Sequence, residues 1–334
     1  MIFLGRTSGK AIETISGVKW SRLAPLLLTA IFLADAPSVA GAQEVGPQIA
    51  FRSGVEVVTV SAAVRDGRGR VIRDLTKSDF QVIDTGAPIE IRDFYAGDSP
   101  VSLAVLLDIS GSMAVGGNMD RARHAVNIAM GNLRPGGDEA ALFTFDAKLE
   151  EVVSFTTDLD RVRRVSLEGK PWGMTSLFDA IGAAAKAVAA RGNHHRALLV
   201  ITDGVDTGSR MSAPEVSGIA SSIDVPVYLL TVVNPADHPG GEFAVIQTDS
   251  AAASVATLAD LARWTGGDMR VASEPVHTTE ALHDLFLELR HQYLITFEPG
   301  TRPGWHPLEI RTRKQNLVVH ARSGYISGPA RSSH

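Results

Sequence analysis

From about residue 100 onward, the apolar positions follow two alternating rhythms. Short continuous apolar runs, of which Leu103-Ala-Val-Leu-Leu107 is the first, give way to stretches in which apolar residues recur every three or four positions. A continuous run of that length reads as a strand buried on both faces, as in a parallel α/β sheet. The runs predict strands over 102–108, 139–145, 149–155, 197–202, 225–233 and 268–272. The second rhythm predicts helices over 120–133, 176–191, 255–265 and 278–291. In the first helix Ala122, Ala125, Val126, Ala129, Met130 and Leu133 make one apolar face. Pro135-Gly-Gly137, Gly192 and Gly266-Gly267 supply the stops. Strands alternating with helices define a doubly wound, mostly parallel α/β sheet. The three residues Asp146-Ala-Lys148 between two strands predict a hairpin, and so an antiparallel edge strand.

On both sides of this region the pattern changes to short strands bounded by Gly, Pro or Asp. They are expected over 55–64, 71–72, 80–83 and 89–94 before it, and over 293–297, 307–312 and 317–320 after it. The first set is too small to be stable alone. Residues 50–96 and 293–327 are therefore expected to combine into one small antiparallel β-sandwich. The α/β domain, residues 98–292, is inserted between them, and Gly328 to His334 reads as a frayed tail.

The first forty residues follow neither rhythm. Lys19 and Arg22 precede Leu23-Ala-Pro-Leu-Leu-Leu-Thr-Ala-Ile-Phe-Leu-Ala34, which is short for a membrane span. Small residues follow, ending Ala40-Gly41-Ala42. This is the pattern of a secretory signal peptide over residues 1–42, with an uncleaved anchor as the alternative. The expectation is an exported protein, secreted or periplasmic, with no membrane span in its mature part. Composition narrows the picture further. The 334 residues are 45% hydrophobic and 21% charged with a net charge of −5, and no basic block stands out, so nucleic acid is excluded as a partner. The absence of cysteine excludes disulfides, thiolate metal sites and a cysteine nucleophile.

The candidate chemistry sits where the first buried strand ends. Asp108-Ile-Ser110-Gly-Ser112 places one carboxylate and two hydroxyls at the strand's carboxyl edge, where open α/β sheets bind ligands. Oxygen donors suit a hard dication such as Mg²⁺ better than zinc or copper. Gly173-Met-Thr175 adds a hydroxyl in a loop leading into a helix, and Asp203 ends a second buried strand. If those two strands are neighbours, Asp108 and Asp203 converge.

Other polar residues have plainer roles. Asp206 is expected to hold its turn, with support of the metal ligands as the alternative, Asp179 to sit in the first turn of a helix, and Asp146 to serve the hairpin. His194-His195 reads as a solvated connector. His283 and His291 are eight apart, too far for an i, i+4 metal pair. Trp172 reads as a packing residue, with partner contact as the alternative. There is no Gly-x-Ser-x-Gly elbow, no His-Glu-x-x-His and no complete phosphate loop, so no enzyme is expected.

Taken in order, the three oxygen-bearing segments resemble the metal-ion-dependent adhesion site of the von Willebrand factor type A domain family. Asp108, Ser110 and Ser112 match its first motif, Thr175 its lone threonine and Asp203 its last aspartate. The resemblance implies a bound Mg²⁺, with Mn²⁺ or Ca²⁺ as substitutes. The hydroxyls would supply neutral oxygens, and the aspartates would bind directly or through water. An acidic residue of a partner protein would complete the shell. Leu75-Thr-Lys-Ser-Asp-Phe80, Ile91-Arg-Asp-Phe94, Gln292-Tyr293 and Ala321-Arg-Ser-Gly-Tyr325 are similar to flanking segments of secreted bacterial proteins with a type A domain between β strands. The function implied is an exported, Mg²⁺-dependent protein-binding module. Two alternatives are a metal-dependent hydrolase using the same cation, and an envelope-complex component whose metal only stiffens loops.

Overall fold

The first buried run becomes the centre of a six-stranded sheet. The computed structural model describes residues 57–167, 169–236 and 258–328. The signal-peptide reading of residues 1–42 and most of the tail reading lie outside the described residues.

In chain order the strands are β1 (Val58–Asp66), β2 (Phe80–Asp84), β3 (Ala87–Ile89), β4 (Ile91–Tyr95), β5 (Val101–Asp108), β6 (Glu139–Phe145) and β7 (Leu149–Thr156). They continue as β8 (His195–Thr202), β9 (Val227–Val232), β10 (Met269–Ala272), β11 (Tyr293–Phe297), β12 (Gly304–Thr312), β13 (Leu317–Ala321) and β14 (Gly324–Ser327). The helices are α1 (Asn118–Asn132), α2 (Leu159–Arg163), α3 (Leu177–Ala189), α4 (Ala213–Ser222), α5, described over 258–265, and α6 (Pro275–Arg290).

The six-stranded sheet has the order β10-β9-β8-β5-β6-β7. Every neighbouring pair is parallel except β6 and β7, whose antiparallel pairing follows the hairpin at Asp146. Side chains alternate across β5. Leu103, Val105 and Leu107 pack under α1 and α6, while Ala104 and Leu106 face α3, α4 and α5. All eight residues of β5 are buried, which is why its sequence shows no alternation.

Two antiparallel four-stranded sheets, β13-β1-β11-β4 and β14-β12-β2-β3, close over a separate core. Each mixes strands from both ends of the chain: β1 pairs with β11 and β13, and β2 pairs with β12. Val60, Val82, Ile295 and Leu308 bury their side chains between the sheets. Phe80 and Tyr293 meet there with ring centroids 5.0 Å apart.

The differences from expectation have local causes. Val71-Ile72 is not a strand but a single bridge from Val71 to Arg65. The stretch 89–94 divides into β3 and β4. Helix α4 has no counterpart among the expected helices: Pro214 and Gly218 interrupt its apolar spacing. Its start is nevertheless marked by a capping box between Ser212 and Glu215, with Pro in the first turn. His195 is not a solvated connector: it opens β8 and is wholly buried, while His194 beside it is exposed.

Candidate metal centre

Strands β5 and β8 are parallel neighbours with Leu107 opposite Ile201. Asp108 therefore ends one strand level with Thr202, and Asp203 follows one residue later, at the carboxyl edge of the sheet.

Asp108 is fully buried and both its oxygens are engaged. The Ser110 amide donates to Oδ1 at 2.8 Å, and the Thr202 hydroxyl donates to Oδ2 at 2.6 Å. Thr202 in turn accepts from the Gly204 amide at 3.1 Å. Gly204 has φ 90°, a left-handed conformation natural to glycine, and it turns the chain sharply after Asp203. Beyond Asp108 the chain enters a 3-10 turn over Gly111–Ala114 that starts at Ser110. This turn brings the Ser110 and Ser112 hydroxyl oxygens to 3.2 Å from each other.

Thr175 is buried in a loop stitched to its neighbours on both sides. Toward the first loop, the Trp172 amide donates to the Ile109 carbonyl at 2.9 Å and the Gly111 amide to the Gly173 carbonyl at 3.1 Å. Toward the third, Thr207 and Gly208 both donate backbone amides to the Thr175 carbonyl at 2.9 Å. The Thr175 amide donates back to the Thr207 hydroxyl at 2.9 Å.

The sequence assigns Asp206 and Asp179 plain roles, and each has more to do. Asp206 accepts from the Leu177 amide at 2.8 Å and the Ser209 hydroxyl at 2.6 Å, tying its loop to the start of α3. Asp179 lies in the first turn of α3 and accepts from the Arg210 and Met211 amides. Asp146 holds the hairpin through the Lys148 amide at 2.9 Å. Thr202 and Thr207 carry the site's scaffold, and sequence reasoning misses both. A hydroxyl in a buried β run, as in Ile201-Thr202-Asp203, is the one signal that points to Thr202. Trp172 corrects the packing reading, being 83% exposed.

The electrostatics of the cleft favour a cation. Burial pushes the Asp108 carboxyl up to about 6; the Thr202 and Ser110 hydrogen bonds pull against this, and the neighbouring Asp203 charge adds to it. Burial likewise raises Asp203, opposed by the Ser112 hydroxyl and the Val205 amide. Asp203 Oδ1 is buried and makes no hydrogen bond. A buried carboxylate oxygen left unpaired is costly unless something positive meets it. The donors are two carboxylates and three hydroxyls, all hard oxygens, and this set fits a hard dication. Among the described residues no group of three or more His, Asp or Glu forms an alternative centre.

Fold and site together define a doubly wound α/β module that carries its candidate ligands at the carboxyl edge of its two central strands. Residues 103–205, which include all five candidate residues, match the family model of the von Willebrand factor type A domain. Such domains mediate protein–protein interaction. No curated protein sequence matches the chain. Solved structures are similar to it as well, three of them as follows. An aerotolerance-related membrane protein from Bacteroides fragilis is 19% identical, with TM-score 0.44, over 57% of this chain and 98% of its own. The conserved hypothetical protein BatB from Bacteroides thetaiotaomicron is 18% identical, with TM-score 0.41, over 55% and 96%. A von Willebrand factor type A protein from Catenulispora acidiphila is 10% identical, with TM-score 0.44, over 83% and 75%.

Proposed function

We propose that this protein is an exported, Mg²⁺-dependent binding module that holds a partner protein through an acidic residue. One observation carries the reading: a buried, unpaired carboxylate oxygen of Asp203 beside the buried Asp108, with hydroxyls at hand. Ser110, Ser112 and Thr175 would hold the cation with neutral oxygens. Asp203 would face it with its free oxygen, and Asp108, whose oxygens are both engaged, would anchor the turn that presents the serines. When bound, Mg²⁺ would supply an electropositive position open to a partner carboxylate. The apolar run over 23–34 followed by Ala40-Gly-Ala42 supports export. No helix among the described residues is long and apolar enough to cross a membrane.

The test is calorimetric titration with Mg²⁺ of the wild type and of Asp108→Ala/Asp203→Ala. Saturable uptake by the wild type that the double variant lacks supports the reading. Absence of uptake by a folded wild type overturns it.

A further inference from the structure

In the flanking sheets a buried aspartate, a buried histidine and a buried tyrosine meet. Asp84 closes β2, His306 lies in β12 and Tyr325 in β14. Asp84 Oδ1 accepts from the Thr85 hydroxyl at 3.0 Å, and Oδ2 accepts from the Tyr325 hydroxyl at 2.8 Å and the Gly300 amide at 3.2 Å. His306 Nδ1 lies 2.9 Å from Oδ1, and its Nε2 lies 2.5 Å from the Arg302 carbonyl. The Tyr325 ring stacks on the imidazole with centroids 4.9 Å apart. The turn from β2 to β3 carries strain to join this cluster. Thr85 has φ 50°, where Asn or Gly would sit easily and a β-branched residue does not, and it spends its hydroxyl on Asp84.

Both ring nitrogens of His306 thus face oxygens that can only accept, a carboxylate on one side and a carbonyl on the other. A neutral imidazole has a single N–H, so either tautomer would press a lone pair against an acceptor inside the protein. The hydroxyls of Tyr325 and Thr85 lie 3.3 and 3.5 Å from Nδ1, but turning to it would take them from Asp84. Gly300 and Arg302 belong to the crossover over 298–303, which carries the chain from β11 in one flanking sheet to β12 in the other.

We propose that His306 is a buried imidazolium that clasps this crossover, and that loss of its second proton in alkali releases it, making a pH-sensitive catch. The titratable groups facing the ring are Asp84 from β2, Tyr325 from β14 and Arg302 from the crossover, with Arg322 beyond, 5.9 Å from the Tyr325 ring centre. Burial opposes the charged ring. The Arg302 carbonyl and Asp84 outweigh it, against the Arg302 charge, and hold the His306 pKa above its ordinary 6.5. Burial opposes the Asp84 charge too, yet the Tyr325, His306, Thr85 and Gly300 hydrogen bonds hold that carboxyl below its ordinary value. Burial and Asp84 raise the Tyr325 pKa, so the phenol keeps its proton. The unfolded chain releases the His306 proton near pH 6.5. The clasp is therefore whole below that pH and is lost as pH rises through the higher folded value.

The test is long-range nitrogen–proton NMR of the full chain's imidazoles from about pH 5 to about 10, with His306 assigned through its contacts to the Tyr325 ring. Near pH 6.5 the exposed His194 and His283 should be about half neutral, while His306 should hold protons on both nitrogens. As His306 turns neutral, the Gly300 amide should exchange with solvent more steeply with pH than the amides of β5. Each pH unit by which His306 lags behind 6.5 should also weaken the folding equilibrium about tenfold across that window, in the wild type and not in His306→Gln. A ring that titrates with the exposed histidines, Gly300 exchange that keeps pace with β5, or equal pH slopes for wild type and variant would each overturn the proposal. Should His306→Gln fail to fold, the wild-type spectra and exchange still decide.

Discussion

Asp203 and Thr202 are adjacent in sequence and have opposite consequences when altered. Asp203 carries a half-buried charge whose buried Oδ1 has no partner, so in the metal-free protein that charge is a burden on the fold. Asp203→Asn removes the charge at nearly constant volume. Metal-free thermal stability should stay level or rise by about 1 kcal/mol, while the stabilisation by added Mg²⁺ disappears. A melting series with and without Mg²⁺ reads both effects, and a variant that still responds to the cation would count against Asp203 as a ligand. Thr202 differs because its hydroxyl gives one hydrogen bond to Asp108 and receives one from Gly204. Thr202→Val keeps the shape and leaves both partners unpaired inside the protein. The expected loss is about 1–3 kcal/mol by denaturant unfolding, with Thr202→Ser recovering most of it.

At the scale of elements, legibility tracks burial and spacing. Strand β5 and its neighbours are readable because an unbroken apolar run of their length fits a strand covered on both faces and little else. The acid-hydroxyl pattern after β5 is readable because it comes where the apolar run stops. Helix α4 is hidden because its signal lies in the capping pair Ser212 and Glu215 rather than in its apolar content. What ties the loops together is also hidden, since the bonds from Thr207 to Thr175 and from Asp206 to Leu177 join segments about 30 residues apart. His195 shows the limit most clearly: a histidine after Gly-Asn-His resembles a loop residue, yet the register of β8 against β5 places it opposite Val101 in the interior. Burial, slightly opposed by the Leu289 backbone, pushes its pKa down to about 4, so it stays neutral in the folded chain at neutral pH. The unfolded chain takes up that proton near pH 6.5, the folded chain only near 4. Its contribution is therefore present above pH 6.5 and is lost as pH falls toward 4, by about 3 kcal/mol in all. Replacing His195 by Phe or Leu should flatten the fall in stability measured between those two pH values.

At the scale of the whole molecule, the antiparallel sheets and the six-stranded layer are joined by buried charge. The described residues form one compact unit. Arg65 of β1 reaches Glu288 of α6 with Nε at 2.5 Å, and its guanidinium also meets Asp268 at 3.3 Å. Glu288 is fully buried and takes a further hydrogen bond from the Tyr228 hydroxyl of β9 at 2.9 Å. Burial alone would raise the Glu288 carboxyl, but His320, Arg65 and Tyr228 together hold it below its ordinary value. Four residues earlier on the same face of β1, Ser61 donates its amide and hydroxyl to Asp224, beside which lies the buried Arg322. Two charged contacts thus fix one strand of the flanking sheets to α6 and to the residue that closes the turn after α4. Desolvation consumes most of the attraction in such pairs, so their net contribution is small while both partners remain. Removing one partner is another matter. Arg65→Met should strand the Glu288 charge in the interior and cost about 3–5 kcal/mol, whereas Arg65→Met/Glu288→Gln should restore much of that loss. Denaturant unfolding of the two single variants and the double variant gives the coupling directly. Additive losses would show that Arg65 and Glu288 act separately, and that the flanking sheets are held to the α/β layer by their apolar contacts instead.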